Sequence, residues 1–385
     1  MKSFTNTVEG TLVDRPNRFV VVVRTDDGAV VRAHCPNPGR LSEILVDDAR
    51  LILERRAVSQ AATDYTLVGA FYRGRVIPLY ASRANDVAER LVLPSLFPDA
   101  EAVEREIRIG KSRIDFRVTG GEIEHIVEVK AVTLVDQGNA LFPDAPSNRA
   151  TRHLVELADA ARRPEVRGHV LFCVMQRDAR LFAPNVHTDP EFAEALRNYA
   201  EIVAYHAAVI ETDRDGTARL LRNSLPVSLA PVRFVREDTG CYILELTVEN
   251  RIEIQVGSLG TRVFEAGYYL YVGSGQRNLS ARLARHRRRS KKTIRWHIDY
   301  LRAETGTPTT VRIYGLTDEA RLARELRAVA DGSIDGFGAS DSPESSHLLY
   351  FSPRRGGKRL GALRLREVVE IVMRYQHIAA ASAAE

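Results

Sequence analysis

Over positions 1–82 the apolar residues come in short, largely alternating runs: Thr5–Leu12, Phe19–Arg24, Val30–Ala33, Arg50–Glu54 and Tyr65–Ala70. A period of two marks half-buried strands, and breaks such as Asp26-Asp27-Gly28 supply the turns. Five short strands in succession predict an OB-like β-barrel as a first domain, 1–82. The pattern turns helical over Asn85–Leu93 and returns to alternation over Ile114–Val118 and Ile126–Val132. Gly120-Gly121 between these runs tolerates the positive φ of a tight turn, so the stretch reads as a β-hairpin. With those glycines as the two central residues, Asp115 falls opposite Ile126, and period two places Glu128 and Lys130 on the same face. Asp115 and Glu128 are then diagonal neighbours about 7–8 Å apart at the backbone. The other face, with Ile114, Phe116, Val127, Val129 and Ala131, is expected to pack inward.

Beyond the hairpin, 148–162 shows helical spacing, with Leu154, Leu157, Ala158 and Ala161 as the core stripe and Arg149, Arg152, His153 and Glu156 opposite. Val170–Met175 is a continuous apolar run, predicting a buried strand. Asp189-Pro190 suits the start of a helix to about Ala200, and Ile202–Ile210 is a further strand. Residues 83–224 thus form an α/β domain. LPVSLAPVRF lies in a predicted linker, 225–237. A second module follows over 238–373: a strand at 240–246, an aromatic strand and glycine loop at 267–275, and a helix opening near Asn278. The stretch 331–346 is rich in Gly, Ser and Asp and predicts a mobile loop, and 374–385 a low-complexity tail.

A length of 385 residues allows two or three domains. A net charge of +5 is small, so its distribution matters more: His286, Arg287, Arg288, Arg289, Lys291, Lys292 and Arg295 form a run without an acid. Such a run is either a solvated face or a grip on a nucleic-acid backbone. No apolar stretch reaches the roughly 18–20 residues of a membrane helix, and the first residues lack a signal-peptide pattern. Cys35, Cys173 and Cys241 are widely spaced, which fits a cytoplasmic protein without a disulfide framework or zinc site.

Two carboxylates and a lysine on one strand face suit metal-assisted phosphodiester hydrolysis, because hard oxygen ligands hold Mg²⁺ or Mn²⁺ and a cation steadies the charge that develops. The other reading is a solvated face with a cross-strand charge pair. In the barrel loops, Arg15, Arg18, His34, Asn37 and Arg40 either contact phosphates or are ordinary turn residues.

Asp115 with Glu128-Val129-Lys130 resembles the D…ExK core of the PD-(D/E)xK nucleases. HCPNPGR (34–40), SRIDF (112–116), VEVKAVTL (127–134), FPDAP (142–146) and RHLVEL (152–157) together resemble the sugar fermentation stimulation protein A family over about 1–235. That resemblance implies a DNA-binding protein with a nuclease-like domain behind an OB-like barrel. Asp115 and Glu128 would be metal ligands, Lys130 the water-side cation, and Glu89 either a helix carboxylate of the cluster or an ordinary surface glutamate. Gly240-x-Tyr242 and Tyr271-Val272-Gly273 resemble the two halves of the GIY-YIG nuclease signature. This resemblance covers about 238–373 and implies roles for Tyr242, Tyr271, Arg282 and a metal-binding Glu319, with Glu325 as fallback. The long gap between the tyrosines reads as an inserted hairpin at Glu249–Val263. Alternatively, the tyrosines are core aromatics of a sheet.

The expectation is a multidomain α+β and α/β nucleic-acid-binding protein acting as a metal-dependent nuclease on DNA or RNA. The alternative is a non-catalytic DNA-binding regulator of sugar-utilisation genes. Arg15, Arg18, Arg40, Arg149, Arg152, His153 and the run from His286 to Lys292 are the expected nucleic-acid contacts.

Overall fold

The computed structural model describes residues 1–37, 39–56, 63–80, 83–288, 294–339, 343–353 and 361–381. The chain divides into two compact units, Met1–Ile44 with Asp48–Val232, and Leu45–Asp47 with Arg233–Glu385.

In the first unit, strands β1 (Thr7–Asn17), β2 (Val20–Thr25), β3 (Val30–His34), β4 (Arg50–Arg55), β5 (Tyr65–Tyr72) and β6 (Arg75–Pro78) pair in the order β3-β2-β1-β4-β5-β6. A parallel β3–β5 contact at Ala33↔Tyr65 closes β1–β5 into a five-stranded barrel. Alternation does the sorting: Val21, Val23, Ala33, Leu51, Leu53 and Leu67 fill the interior.

The second half of this unit begins with helix α1 (Arg83–Val87), a π-helical turn at Ala88–Val92 and helix α2 (Leu93–Leu96). Strands β7 (Ala102–Ile109), β8 (Ser112–Gly120) and β9 (Ile123–Val132) follow as an antiparallel meander. A small sheet of β10 (Leu134–Asp136), β11 (Asn139–Phe142) and β13 (Leu181–Pro184) flanks helix α3 (Asn148–Ala160) and β12 (Val166–Val174). Helix α4 (Pro190–Asn198) and strands β14 (Val203–Thr212) and β15 (Ala218–Arg222) complete a six-stranded mixed sheet, β15-β14-β12-β9-β8-β7. Both faces are covered. Leu154, Leu157, Phe192 and Leu196 from α3 and α4 pack on one, and Ala84, Val87 and Ala88 on the other. That double cover is why β12 reads as an unbroken apolar run. Caps hold the helices: Ser147 Oγ accepts from Ala150 N at 3.1 Å, and Asp189 from Phe192 N at 3.0 Å.

Helix α5 (Val232–Glu237) begins at the last residue of the first unit, so part of the expected linker is helical, and Phe234 is buried in the second unit's core. Strands β16 (Gly240–Val248), β17 (Ile252–Gln255), β18 (Thr261–Phe264) and β19 (Gly267–Gly275) follow; β17 and β18 form the inserted hairpin. Helices α6 (Leu279–Arg287) and α7 (His297–Glu304), strand β20 (Thr309–Tyr314), helix α8 (Glu319–Val329), strands β21 (Gly332–Ser333) and β22 (Leu348–Phe351), and helix α9 (Arg366–Ala381) complete it. The antiparallel sheet β20-β16-β19-β22-β21 carries α6 and α7 on one face and α8 and α9 on the other. Within 331–346, β21 pairs with β22 and Phe337 is fully buried, so the described part of this stretch belongs to the fold. Helix α9 likewise extends into the expected tail.

Candidate active sites

Pairing of β8 with β9 runs from Gly120↔Ile123 to Phe116↔Val127. The turn is therefore Gly121, at φ 69°, and Glu122, not Gly120 and Gly121. Gly120 answers a different need, since a Cβ there would lie 2.5 Å from the Asp99 carbonyl oxygen. Arg117, rather than Asp115, consequently opposes Ile126, and continuing the register brings Asp115 level with Glu128. The ladder stops at that point because Asp115 Oδ2 accepts the Val129 N–H at 2.7 Å. Ile114 joins the core under α3, whereas Phe116 joins Val127 and Val129 under α1. The expected single inward face is thus divided at Asp115, where β8 turns over.

Asn85 of α1 donates to Asp115 Oδ1 at 2.7 Å. Burial, with the Glu128 charge next, pushes the Asp115 carboxyl up to about 6. Glu128 is 3% exposed. Its Oε1 accepts from Lys130 Nζ and lies 2.6 Å from His153 Nδ1. Arg149 Nε donates to His153 Nε2 at 3.3 Å. Arginine only donates, so Nε2 holds a lone pair and the Nδ1 proton goes to Glu128. Burial pushes the Glu128 carboxyl upward, but Lys130 and His153 outweigh it and hold the group below its ordinary value. Glu128 Oε2 is buried with no hydrogen-bond partner among the described residues.

His153 was expected on a solvent face beside Arg149 and Arg152. It is buried instead, while Arg149 and Arg152 are exposed. Glu156 turns to the Lys111 N–H at 3.3 Å. Glu89 pairs with Arg105, whose Nε donates to it at 3.0 Å, so Asn85 rather than Glu89 is what this helical segment directs at Asp115. Arg113 pairs with Glu106 and not with the two acids. Among the described residues no group of three or more His, Cys, Asp or Glu is arranged to hold a metal ion. The donor set near Asp115 is two carboxylates, one with an unsatisfied oxygen, and hard divalent cations complete such sets with carbonyls and waters.

In the barrel, Arg15 is turned inward: Nη2 donates to the carbonyls of Gly39 at 2.7 Å and Arg18 at 3.3 Å. Burial lowers its pKa, and its guanidinium is spent on the Gly39 and Arg40 carbonyls rather than left for a phosphate. Arg18 is exposed and Arg40 half-buried.

In the second unit Tyr242 stands directly opposite Gly273, and any side chain at 273 would collide with its ring. Tyr271 falls on the same face, with ring centroids 6.3 Å apart. Tyr271, Arg282 and Glu319 line an open cleft of about 850 Å³ with Ser274, Arg277 and Arg295. Arg282 donates to the Ser274 carbonyl at 2.5 Å and stacks 4.8 Å from the Trp296 ring. Burial raises the hydroxyl pKa of both Tyr242 and Tyr271; the Tyr242 hydroxyl adds to the rise at Tyr271, Glu319 adds to it at both, and Arg282 opposes it. Glu319 Oε1 lies 2.7 Å from His347 Nδ1, and His347 is buried. Glu325 is engaged elsewhere, with Arg374 at 3.1 Å and Tyr375 at 2.8 Å.

His286 is wholly buried with Nε2 2.9 Å from Tyr242 Oη, so it faces the tyrosine and not solvent. Arg287 and Arg288 are exposed; Arg289, Lys291 and Lys292 lie outside the described residues. All three cysteines are buried and free. No helix among the described residues is long and apolar enough to cross a membrane.

One group was not anticipated. His125 Nδ1 lies 3.0 Å from His169 Nε2, and His169 Nδ1 lies 3.0 Å from His206 Nε2. The three rings form a row across β9, β12 and β14 under Phe97, 4.7 Å from His125. Burial depresses all three pKa values, that of His169 to about 3.

Comparison with known proteins fits this division. Residues 13–79 match the SfsA N-terminal OB domain, 82–216 the sugar fermentation stimulation protein RE domain, and 241–365 the domain of unknown function DUF123. A sugar fermentation stimulation protein homolog from Clostridium kluyveri is 36% identical over 214 residues, covering 54% of this chain and 92% of the relative. One from Chloroflexus aurantiacus is 37% identical over 236 residues, covering 59% and 88%. The solved structure of Pyrococcus furiosus SfsA in complex with Ca²⁺ aligns with TM-score 0.53 at 28% identity, covering 59% of this chain and 99% of that one. The barrel, the mixed sheet with its D…ExK hairpin, and these relatives agree: the chain belongs to the sugar fermentation stimulation protein family.

Proposed function

We propose that this protein binds nucleic acid and hydrolyses phosphodiester bonds with Mg²⁺ or Mn²⁺ at the Asp115–Glu128–Lys130 centre. The carrying observation is the buried, unpartnered Glu128 Oε2 beside a second carboxylate. Two acids at one site repel each other, and burial of a charged oxygen without a partner is costly. A divalent cation relieves both, and the Ca²⁺ complex of the Pyrococcus furiosus relative supports this choice.

Asp115 and Glu128 would hold the ion. When bound it supplies polarisation of the phosphoryl group and a more acidic attacking water. Asn85 and the Val129 N–H orient Asp115, and His153 with Lys130 orients Glu128. Lys130 is the cation available to the phosphorane-like transition state. The exposed Arg149 and Arg152 would grip flanking phosphates.

In the second unit, Tyr242 and Tyr271 would orient water, Arg282 would stabilise transferred charge, and Glu319 would hold a metal ion. Its arginine-lined cleft supports a second phosphodiester site.

The test is incubation of labelled single- and double-stranded DNA and RNA with and without Mn²⁺. Metal-dependent products that vanish in Asp115→Ala and Glu128→Ala, with binding retained, support hydrolysis. Salt-sensitive binding that ignores chelator, with no product under any condition, would leave the DNA-binding regulator reading.

A further inference from the structure

The cleft of the second unit holds a histidine that has no task in the chemistry so far. His297 is the first residue of α7 and lines the cleft with Tyr271, Arg282, Arg295 and Glu319. The chain is fixed just before it, because Asp299 Oδ2 accepts the N–H groups of Arg295 at 2.9 Å and Trp296 at 3.2 Å. The imidazole is fixed too. It lies 5.6 Å from the Phe337 ring, and its Nδ1 accepts the Gly338 N–H at 3.0 Å. Gly338 is at φ 70°, and a Cβ there would stand 2.9 Å from the Tyr271 ring, so any side chain would force this amide away. The inserted hairpin buttresses the same stretch, with Leu259 seated against Gly336. A backbone amide only donates, so Nδ1 holds a lone pair, the ring is neutral and the proton sits on Nε2. An imidazolium would set N–H against N–H. Burial, and then the Arg262 charge on β18, likewise disfavour a second proton. Nε2 has no hydrogen-bond partner among the described residues, so its N–H is what His297 has left to offer.

We propose that His297 is a catalytic residue of the second centre, donating its Nε2–H to a non-bridging oxygen of the phosphodiester that Arg282 holds. No bond to His297 forms or breaks. Giving up the Nε2 proton would leave an imidazolate, so the ring is not a general acid at neutral pH. Nor is it a base, because its lone pair is turned to Gly338. It acts as a fixed dipole aimed at developing charge, and a neutral imidazole held in one tautomer suits that work. The arginines of the cleft attract a phosphate from any direction, whereas a neutral donor acts only at hydrogen-bond contact and so fixes where the oxygen sits. This role rests on the reading of the cleft as a second phosphodiester site and adds to it a residue and a protonation state.

The test uses the full chain carrying Asp115→Ala and Glu128→Ala, so that products come from the second centre. Single-turnover cleavage of labelled oligonucleotides in Mn²⁺ should slow about 10²-fold in His297→Phe, which keeps a ring against Phe337 and lacks the donor. His297→Gln, whose amide donates without titrating, should recover most of that rate with the pH profile unchanged. Both variants should melt at the parent temperature. His297→Gln as slow as His297→Phe, with one limb of the pH profile gone, would make the residue an acid or base and overturn the role; so would His297→Phe cutting at the parent rate. The contact is also read without turnover, by NMR of ¹⁵N-labelled histidine in EDTA. His297 should keep the Nε2–H tautomer between about pH 5 and 8, and its Nε2–H signal should move when an oligothymidylate is added. A signal that moves in a protein forming no product refutes hydrolysis at this cleft and keeps the contact. An Nδ1–H tautomer, or a signal that ignores the oligothymidylate while products form, refutes the contact alone.

Discussion

Each unit sets a glutamate beside a buried histidine and surrounds it differently. Glu128 and Glu319 each meet a buried histidine, at 2.6 and 2.7 Å. Around Glu128 stand a second acid and one lysine; around Glu319 stand Arg277, Arg282 and Arg295 at an open cleft. The first environment is short of positive charge and favours a cation. The second adds three arginines for a phosphate beside the ion that Glu319 would hold. Similar carboxylate–histidine pairs thus sit in opposite electrostatic settings, and the comparison predicts separable losses.

The largest effect should fall on the acids. Asp115→Ala or Glu128→Ala should cut metal-dependent cleavage by at least about 10³-fold in a gel assay, while Glu319→Ala leaves that product pattern in place. If Glu319→Ala alone abolishes all products, the first centre is not the one that cuts. Lys130→Met should cost about 10²–10³-fold in single-turnover rate, the scale of losing one charge-stabilising donor. His153→Ala should weaken metal affinity or rate about 10–100-fold, and a dose–response curve in Mn²⁺ would show it.

The pH profile sharpens the contrast further. Asp115 must be ionised to hold a cation, so cleavage should fall about tenfold per unit below pH 6, the value to which burial and Glu128 raise it. The smallest effect is on stability, from the histidine row. These imidazoles are kept neutral in the fold, whereas unfolded histidine takes a proton near 6.5. Their contribution is intact above 6.5 and is lost as pH falls toward 3, so the melting temperature should drop across that window. His169→Gln should make the drop shallower.

Much of this was legible in the chain because the signals were local. Alternation located β1–β5, and the spacing within Glu128-Val129-Lys130 together with the hairpin parity put Asp115, Glu128 and Lys130 on one face. The turn slipped because both glycines looked equally suited, and only the Asp99 backbone distinguishes Gly120 from Gly121. Asn85 was missed because a neutral amide gives no metal signal, whereas Glu89 did, and only Arg105 shows where Glu89 points. His153 looked like a solvent-face residue because helical spacing cannot tell that β9 presents a carboxylate to it. The histidine row was invisible, since its members lie on three strands whose neighbourhood depends on the sheet order β14-β12-β9. Local periodicity finds elements; which polar side chains meet is decided between elements.

The most direct test is a count of Mn²⁺ bound per chain at pH 7.5, by electron paramagnetic resonance of the free ion, in wild-type protein and in Asp115→Ala/Glu128→Ala. The account predicts that the double variant loses one binding site while keeping its melting profile. The same number of ions at the same affinity in both proteins would contradict it.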